Sequence, residues 1–160
     1  RWFPDQSDSL SQVAYLLKSR FSDYAWTQYT DHFASSHKDY LPSDPDVIIP
    51  IPGSRKISYH TMYFSEALFR KWKRSIILPC LIKKASLEQK KQLNLYGRSD
   101  VQIVFNEDFT HQLKQARKVV LVDDIITSGT TIKASLMAIR PQLHPDCQVS
   151  IIALLSREKI

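Results

Sequence analysis

Apolar positions along the chain recur at two spacings, and the switches between them mark the elements. Leu10, Val13, Leu17 and Phe21 share one helical face behind a Ser9-x-x-Gln12 capping box. Trp26, Tyr29 and Phe33 extend that pattern, so residues 1–40 read as a helical N-terminal part. The polar stretch 35–46, with Pro42 and Pro45, reads as a connection. Val47 to Ile51 then form a β-branched run stopped by Pro50 and Pro52, as expected of a buried strand. Phe64, Ala67, Leu68 and Trp72 return to helical spacing. Residues 76–82 predict the next strand, at an edge or broken, because Pro79 has no N–H for a ladder.

Val101 to Phe105 reads as a further short strand. The unbroken run Val119-Val120-Leu121-Val122 predicts a central parallel strand covered on both faces. Ile132, Leu136 and Ile139 form a helical stripe that Pro141 ends, and Val149 to Leu155 supplies the last strand. Strands alternating with helices in this order predict an α/β domain: a mostly parallel central sheet flanked by helices. The 160 residues suit a single domain, with the helical part at 1–40 and the sheet core at 41–160.

Composition adds little to the fold and something to the partners. Hydrophobic residues make up 43% and charged residues 24%, the balance of a folded chain. The apolar runs are too short to insert into a membrane, and no secretory signal opens the sequence. It begins at Arg1 rather than Met, as a trimmed form of a longer chain would. Cys80 and Cys147 lack a C-x-x-C spacing, so they read as buried thiols and point to a cytoplasmic setting. A formal net charge of +6 favours an anionic partner, whether phosphate, nucleic acid or a membrane surface. Nothing in the sequence indicates an oligomeric state.

The candidate chemistry lies after the central strand, in Asp123-Asp124-Ile125-Ile126-Thr127-Ser128-Gly129-Thr130-Thr131. A helix start there offers unpaired N–H groups and the positive dipole end to an anion. Gly129 allows close backbone approach, and Thr127, Ser128, Thr130 and Thr131 add hydroxyl donors for phosphate oxygens. Asp123 and Asp124 can accept hydrogen bonds from two adjacent sugar hydroxyls, at the strand end where open α/β sheets bind ligands. Capping an ordinary turn would need only one such acid. Upstream, Gly53-Ser54-Arg55-Lys56 follows a strand end and suits a second phosphate group, though alone it reads equally well as a solvated basic turn.

Residues 119–130 resemble the signature of the type I phosphoribosyltransferases: four hydrophobic residues, two acids, two variable positions, Thr, a small residue, Gly and Thr. The resemblance implies a site for phosphoribosyl pyrophosphate or a nucleotide 5′-phosphate. In it Asp123 and Asp124 would hold the ribose, Thr127 to Thr131 the 5-phosphate, and Gly53 to Lys56 the pyrophosphate. Mg²⁺ would accompany the ligand, touching Asp123 and Asp124 only indirectly. Segment 83–98, with Lys90, Lys91, Tyr96 and Arg98, would be a lid. Leu93, Arg98 and Phe105, with Pro50-Ile51-Pro52, are similar to the ComF-like branch, linked with competence and DNA uptake. That branch's glutamine position holds Lys90 here, and Tyr59 to Glu66 replaces its segment after the pyrophosphate loop.

Two functions follow from different classes. One is a pentosyl-transferring enzyme of nucleotide metabolism. The other is a non-catalytic phosphoribosyl- or nucleotide-sensing module that binds single-stranded DNA, through basic residues interleaved with aromatics such as Lys71-Trp72-Lys73-Arg74.

Overall fold

The computed structural model describes residues 23–53, 59–84 and 102–156. The predicted helix at 9–21 lies outside them. The chain runs α1 (Asp23–Ser36), β1 (Val47–Pro50), α2 (Tyr59–Lys71), β2 (Ile76–Ile77), β3 (Leu81–Lys83), β4 (Ile103–Phe105), α3 (Thr110–Gln115), β5 (Lys118–Ile126), α4 (Thr130–Ile139) and β6 (Gln148–Ser156).

Four strands form one sheet in the order β2-β1-β5-β6, and every pairing in it is parallel. Val47 pairs with Val119, Ile48 with Val120, Ile49 with Leu121 and Pro50 with Val122. Because strand side chains alternate, each matched pair shares a face. Val47, Ile49, Val119 and Leu121 enter a core with Ile132 and Ile139 of α4 and Leu113 of α3. Ile48, Val120 and Val122 enter the opposite core with Phe64 and Leu68 of α2 and Ala34 of α1. The central strands are thus apolar on both sides, which explains the unbroken runs in their sequences. On the α2 side, Phe33 and Phe64 meet edge to face at 5.2 Å, and Arg70 reaches Asp31 at 2.7 Å.

The strand order positions the site. From β1 the chain moves outward through α2 to β2, then returns to β5 and moves outward the other way, through α4 to β6. The connections leaving β1 and β5 therefore diverge, and a crevice opens between the C-terminal ends of these neighbours.

Two expectations need correction. The strand around Ile103 does not join the central sheet. It pairs antiparallel with β3 in a separate ribbon, Leu81 opposite Phe105 and Lys83 opposite Ile103. Pro79 does break the 76–82 run, leaving β2 at the sheet edge and releasing β3 to that ribbon. Trp72 does not stand among the basic residues as a stacking surface. It is 7% exposed and packs in the α2-side core, while Lys71, Lys73 and Arg74 are exposed around it. Helical spacing from Leu68 carries it inward, and burying an indole outweighs any pattern of neighbouring charge. No helix among the described residues is long and apolar enough to cross a membrane.

Candidate functional site

The acidic pair lies within β5 rather than in the turn after it. The pairing with β6 runs from Lys118–Gln148 to Asp123–Ala153 and resumes at Ile125–Leu155. Across the acids the phase of the strand slips. Val120 and Val122 face the α2-side core and Leu121 the other, yet Ile125 packs on the α2 side and Ile126 opposite. Strict alternation would put them the other way round. Each carboxylate also accepts the next backbone amide: Asp123 Oδ1 from Asp124 N at 2.9 Å, and Asp124 Oδ1 from Ile125 N at 2.7 Å. Both acids are thereby held in fixed orientations at the mouth of the crevice, Asp123 being 8% exposed.

Beyond the strand, Thr127 and Ser128 are exposed and Gly129 turns the chain into α4. Ser128 Oγ accepts the Thr130 amide at 3.4 Å, and Gly129, at φ +73°, sits at the N-cap of α4 with no side chain of its own to cap it. Its carbonyl accepts Lys133 N at 2.9 Å, which seats the first turn. Ser128 Oγ and Thr130 Oγ1 lie 2.9 Å apart, while Thr131 supplies its carbonyl to Ser135 Oγ. Hydroxyls and backbone amides thus converge on one exposed turn, a geometry suited to phosphate oxygens.

The second loop begins beside it. Ile51 N donates to Val122 O at 2.8 Å, so the residues leading to Gly53 run alongside those leading to Asp123. Ser54, Arg55 and Lys56 lie outside the described residues, as do Lys90, Lys91, Tyr96 and Arg98 of the lid segment. The ribbon of β3 and β4 brackets that segment, with Lys84 N donating to Gln102 O at 3.0 Å across its base.

One site residue escaped the sequence reading. His60, in the first turn of α2, places Nδ1 3.5 Å from Asp124 Oδ2, with side chains 17% and 15% exposed. Its neighbour Thr61 is buried and donates Oγ1 to the Ile51 carbonyl at 2.9 Å, pinning the helix start to the end of β1. A histidine so far from the acids in sequence carries no local signal of the contact. The cysteines take no part in the site. Burial pushes the Cys80 thiol up to about 12, against a weaker backbone hydrogen bond. Cys147 is only half-buried, not buried as expected, because it stands where the chain enters β6, and burial again raises its thiol.

Solved structures are similar to this chain in fold. Adenine phosphoribosyltransferase from Leishmania donovani superposes with a TM-score of 0.52 at 14% identity, over 88% of this chain and 56% of that one. The chain has a type I phosphoribosyltransferase-like fold. It spans little more than half of that enzyme's length. Purine phosphoribosyltransferase from Pyrococcus horikoshii Ot3 gives a TM-score of 0.48 at 17% identity, over 84% of this chain and 85% of that one. A hypoxanthine-guanine phosphoribosyltransferase from Bacillus anthracis gives 0.48 at 17%, over 86% and 72%. No family model and no curated protein matches the sequence. Within this fold, the crevice between β1 and β5 is the place where the phosphate-suited turn, the acidic pair and His60 meet.

Proposed function

We propose that the crevice binds phosphoribosyl pyrophosphate or a nucleotide 5′-phosphate. The observation that carries this reading is the convergence at the end of β5: two carboxylates oriented by backbone amides, followed at once by the Thr127–Thr131 turn at a helix start. The turn takes the 5-phosphate and Asp123 and Asp124 accept the ribose hydroxyls. The β1 loop from Gly53 through Ser54, Arg55 and Lys56 takes the diphosphate.

The reaction suited to such a site is pentosyl transfer. A nitrogen nucleophile forms the bond to the anomeric carbon as the carbon–oxygen bond to pyrophosphate breaks and the pyrophosphate keeps the electron pair. The protein's share is to align the partners and stabilise charge on the leaving group. Asp123 and Asp124 are hard carboxylate donors, each with one oxygen already engaged by a backbone amide. That donor set fits Mg²⁺, which keeps waters and takes few protein ligands beside substrate phosphates. Asp123 and Asp124 would hold it through water, and it would supply charge neutralisation at the diphosphate.

The ComF-like branch, with its link to DNA uptake, is the narrower reading. Of the residues that carry it, Phe105 ends β4 opposite Leu81, and Leu93 and Arg98 fall outside the described residues. The non-catalytic module that binds single-stranded DNA keeps its exposed cations at Lys71, Lys73 and Arg74, but loses Trp72 as a stacking platform. Calorimetry with phosphoribosyl pyrophosphate, nucleotides and a single-stranded oligonucleotide tests these readings together. Saturable binding of the phosphoribosyl ligand supports the proposal, and binding of the oligonucleotide alone replaces it with the DNA-binding module.

A further inference from the structure

We propose that His60 is a positioning residue for the ribose grip, acting through Asp124; this rests on the phosphoribosyl reading above. The other four histidines in the chain each contact a partner on their own segment: His32 with Ser36, His37 with Phe33, His111 with Gln115 and His144 with Asp146. His60 instead crosses from α2 to β5.

The geometry gives that contact a task. Asp124 Oδ1 is tied to Ile125 N at 2.7 Å, which leaves Oδ2 as the oxygen facing His60. A carboxylate oxygen has two acceptor sites, so Oδ2 can take a histidine N–H and a sugar hydroxyl together. With His60 closed on Oδ2, the carboxylate would be held from both ends and kept facing the hydroxyl. The 3.5 Å separation is longer than a formed hydrogen bond of 2.7–3.2 Å. Contacts of this kind often tighten only when the ligand arrives. His60 itself is set by rigid structure: Thr61 anchors the helix start to Ile51, and Ser65 Oγ bonds the Thr61 carbonyl at 2.7 Å. The first turn of α2 also follows the candidate diphosphate loop. His60 therefore joins the element that leaves that loop to the residue that holds the sugar.

The test is calorimetry on the full chain with two probes, phosphoribosyl pyrophosphate and inorganic pyrophosphate, which lacks the ribose. His60→Leu should weaken phosphoribosyl pyrophosphate about tenfold, the worth of a hydrogen bond to a charged group. Inorganic pyrophosphate should change by less than roughly twofold, as expected of an uncoupled position. His60→Asn, which keeps a donor near the Nδ1 position, should restore most of the loss. In an Asp124→Asn background, His60→Leu should cost little more. Equal phosphoribosyl pyrophosphate affinity in His60→Leu overturns the inference and leaves the phosphoribosyl reading standing. Equal loss of both probes, or an undiminished effect in the Asp124→Asn background, overturns it too. A parent protein that binds no phosphoribosyl pyrophosphate removes both together.

Discussion

Thr61 Oγ1 donates to the carbonyl of Ile51 across 2.9 Å of buried space, joining the first turn of α2 to the end of β1. Ile51 in turn donates its own N–H to Val122 O at 2.8 Å. One hydroxyl thus links the helix that carries His60 to the strand pair that carries the acids. Thr61→Val keeps the shape and removes the donor, leaving a buried carbonyl short of its partner. The expected loss is about 1–3 kcal/mol of unfolding free energy, read from denaturant midpoints. Ligand affinity should fall as well, since the helix start is no longer pinned.

The acids are expected to matter for binding more than for folding. In a double Asp123→Asn, Asp124→Asn variant the amide oxygens can still accept the Asp124 and Ile125 amides seen in the parent. What is lost is two charged acceptors for ribose hydroxyls, worth about 1.5–3 kcal/mol each. Calorimetry should show phosphoribosyl pyrophosphate binding reduced by orders of magnitude, with the thermal midpoint little changed. Parental affinity in a folded double variant would remove the ribose assignment.

Gly129 separates backbone strain from steric clash. A Cβ added there meets nothing within 4 Å, so a side chain has room, but φ is +73°. Gly129→Ala should therefore cost about 1–2 kcal/mol, the penalty of the left-handed region for an L-residue. If the turn relieves that strain by shifting, phosphate affinity falls too, and titration with ribose 5-phosphate would register it. A fully neutral variant would mean that the turn does not hold this backbone.

Thiol chemistry should report burial. With its thiol pushed up to about 12 from an ordinary 9.0, Cys80 is protonated in the native protein at pH 8 and also out of solvent. A thiol reagent at that pH should label half-buried Cys147 first and reach Cys80 only on unfolding. The stability effect has a definite sign. Because the folded state raises this pKa, the contribution is fully present below about pH 9 and is lost as pH climbs toward about 12. Denaturation midpoints of a Cys80→Ala variant should depend less on pH in that window than those of the parent.

Trp72 distinguishes a core role from a DNA-stacking role. As a core residue packed with Phe64 and Leu68, it should cost about 3–5 kcal/mol on truncation to alanine. A stacking residue would instead leave stability intact and lower oligonucleotide affinity at high salt. Urea unfolding of Trp72→Ala decides between the two.

Much of this protein was legible one residue at a time. The runs at Val47–Ile51 and Val119–Val122, the stripe from Ile132 to Ile139 and the break at Pro79 all declare their elements, because strand and helix periodicities are local properties of the chain. So was the two-acid, hydroxyl-rich segment ending at Thr131, whose density of polar side chains exceeds what a cap needs. The short α3 and the diversion of β4 into its own ribbon left no such mark, since six- and three-residue elements are too short to show a period.

Only the tertiary structure decided which distant pieces meet. Strand order places the β1 loop beside the end of β5, and parallel register brings Ile51 to Val122 and His60 to Asp124. It also decided that Trp72 belongs to the core and that the strand slips phase at the acids. The sequence by itself determined the elements and the chemistry one turn can offer. Contacts between elements depend on how whole faces bury against each other, a sum over many residues that no short window of sequence contains.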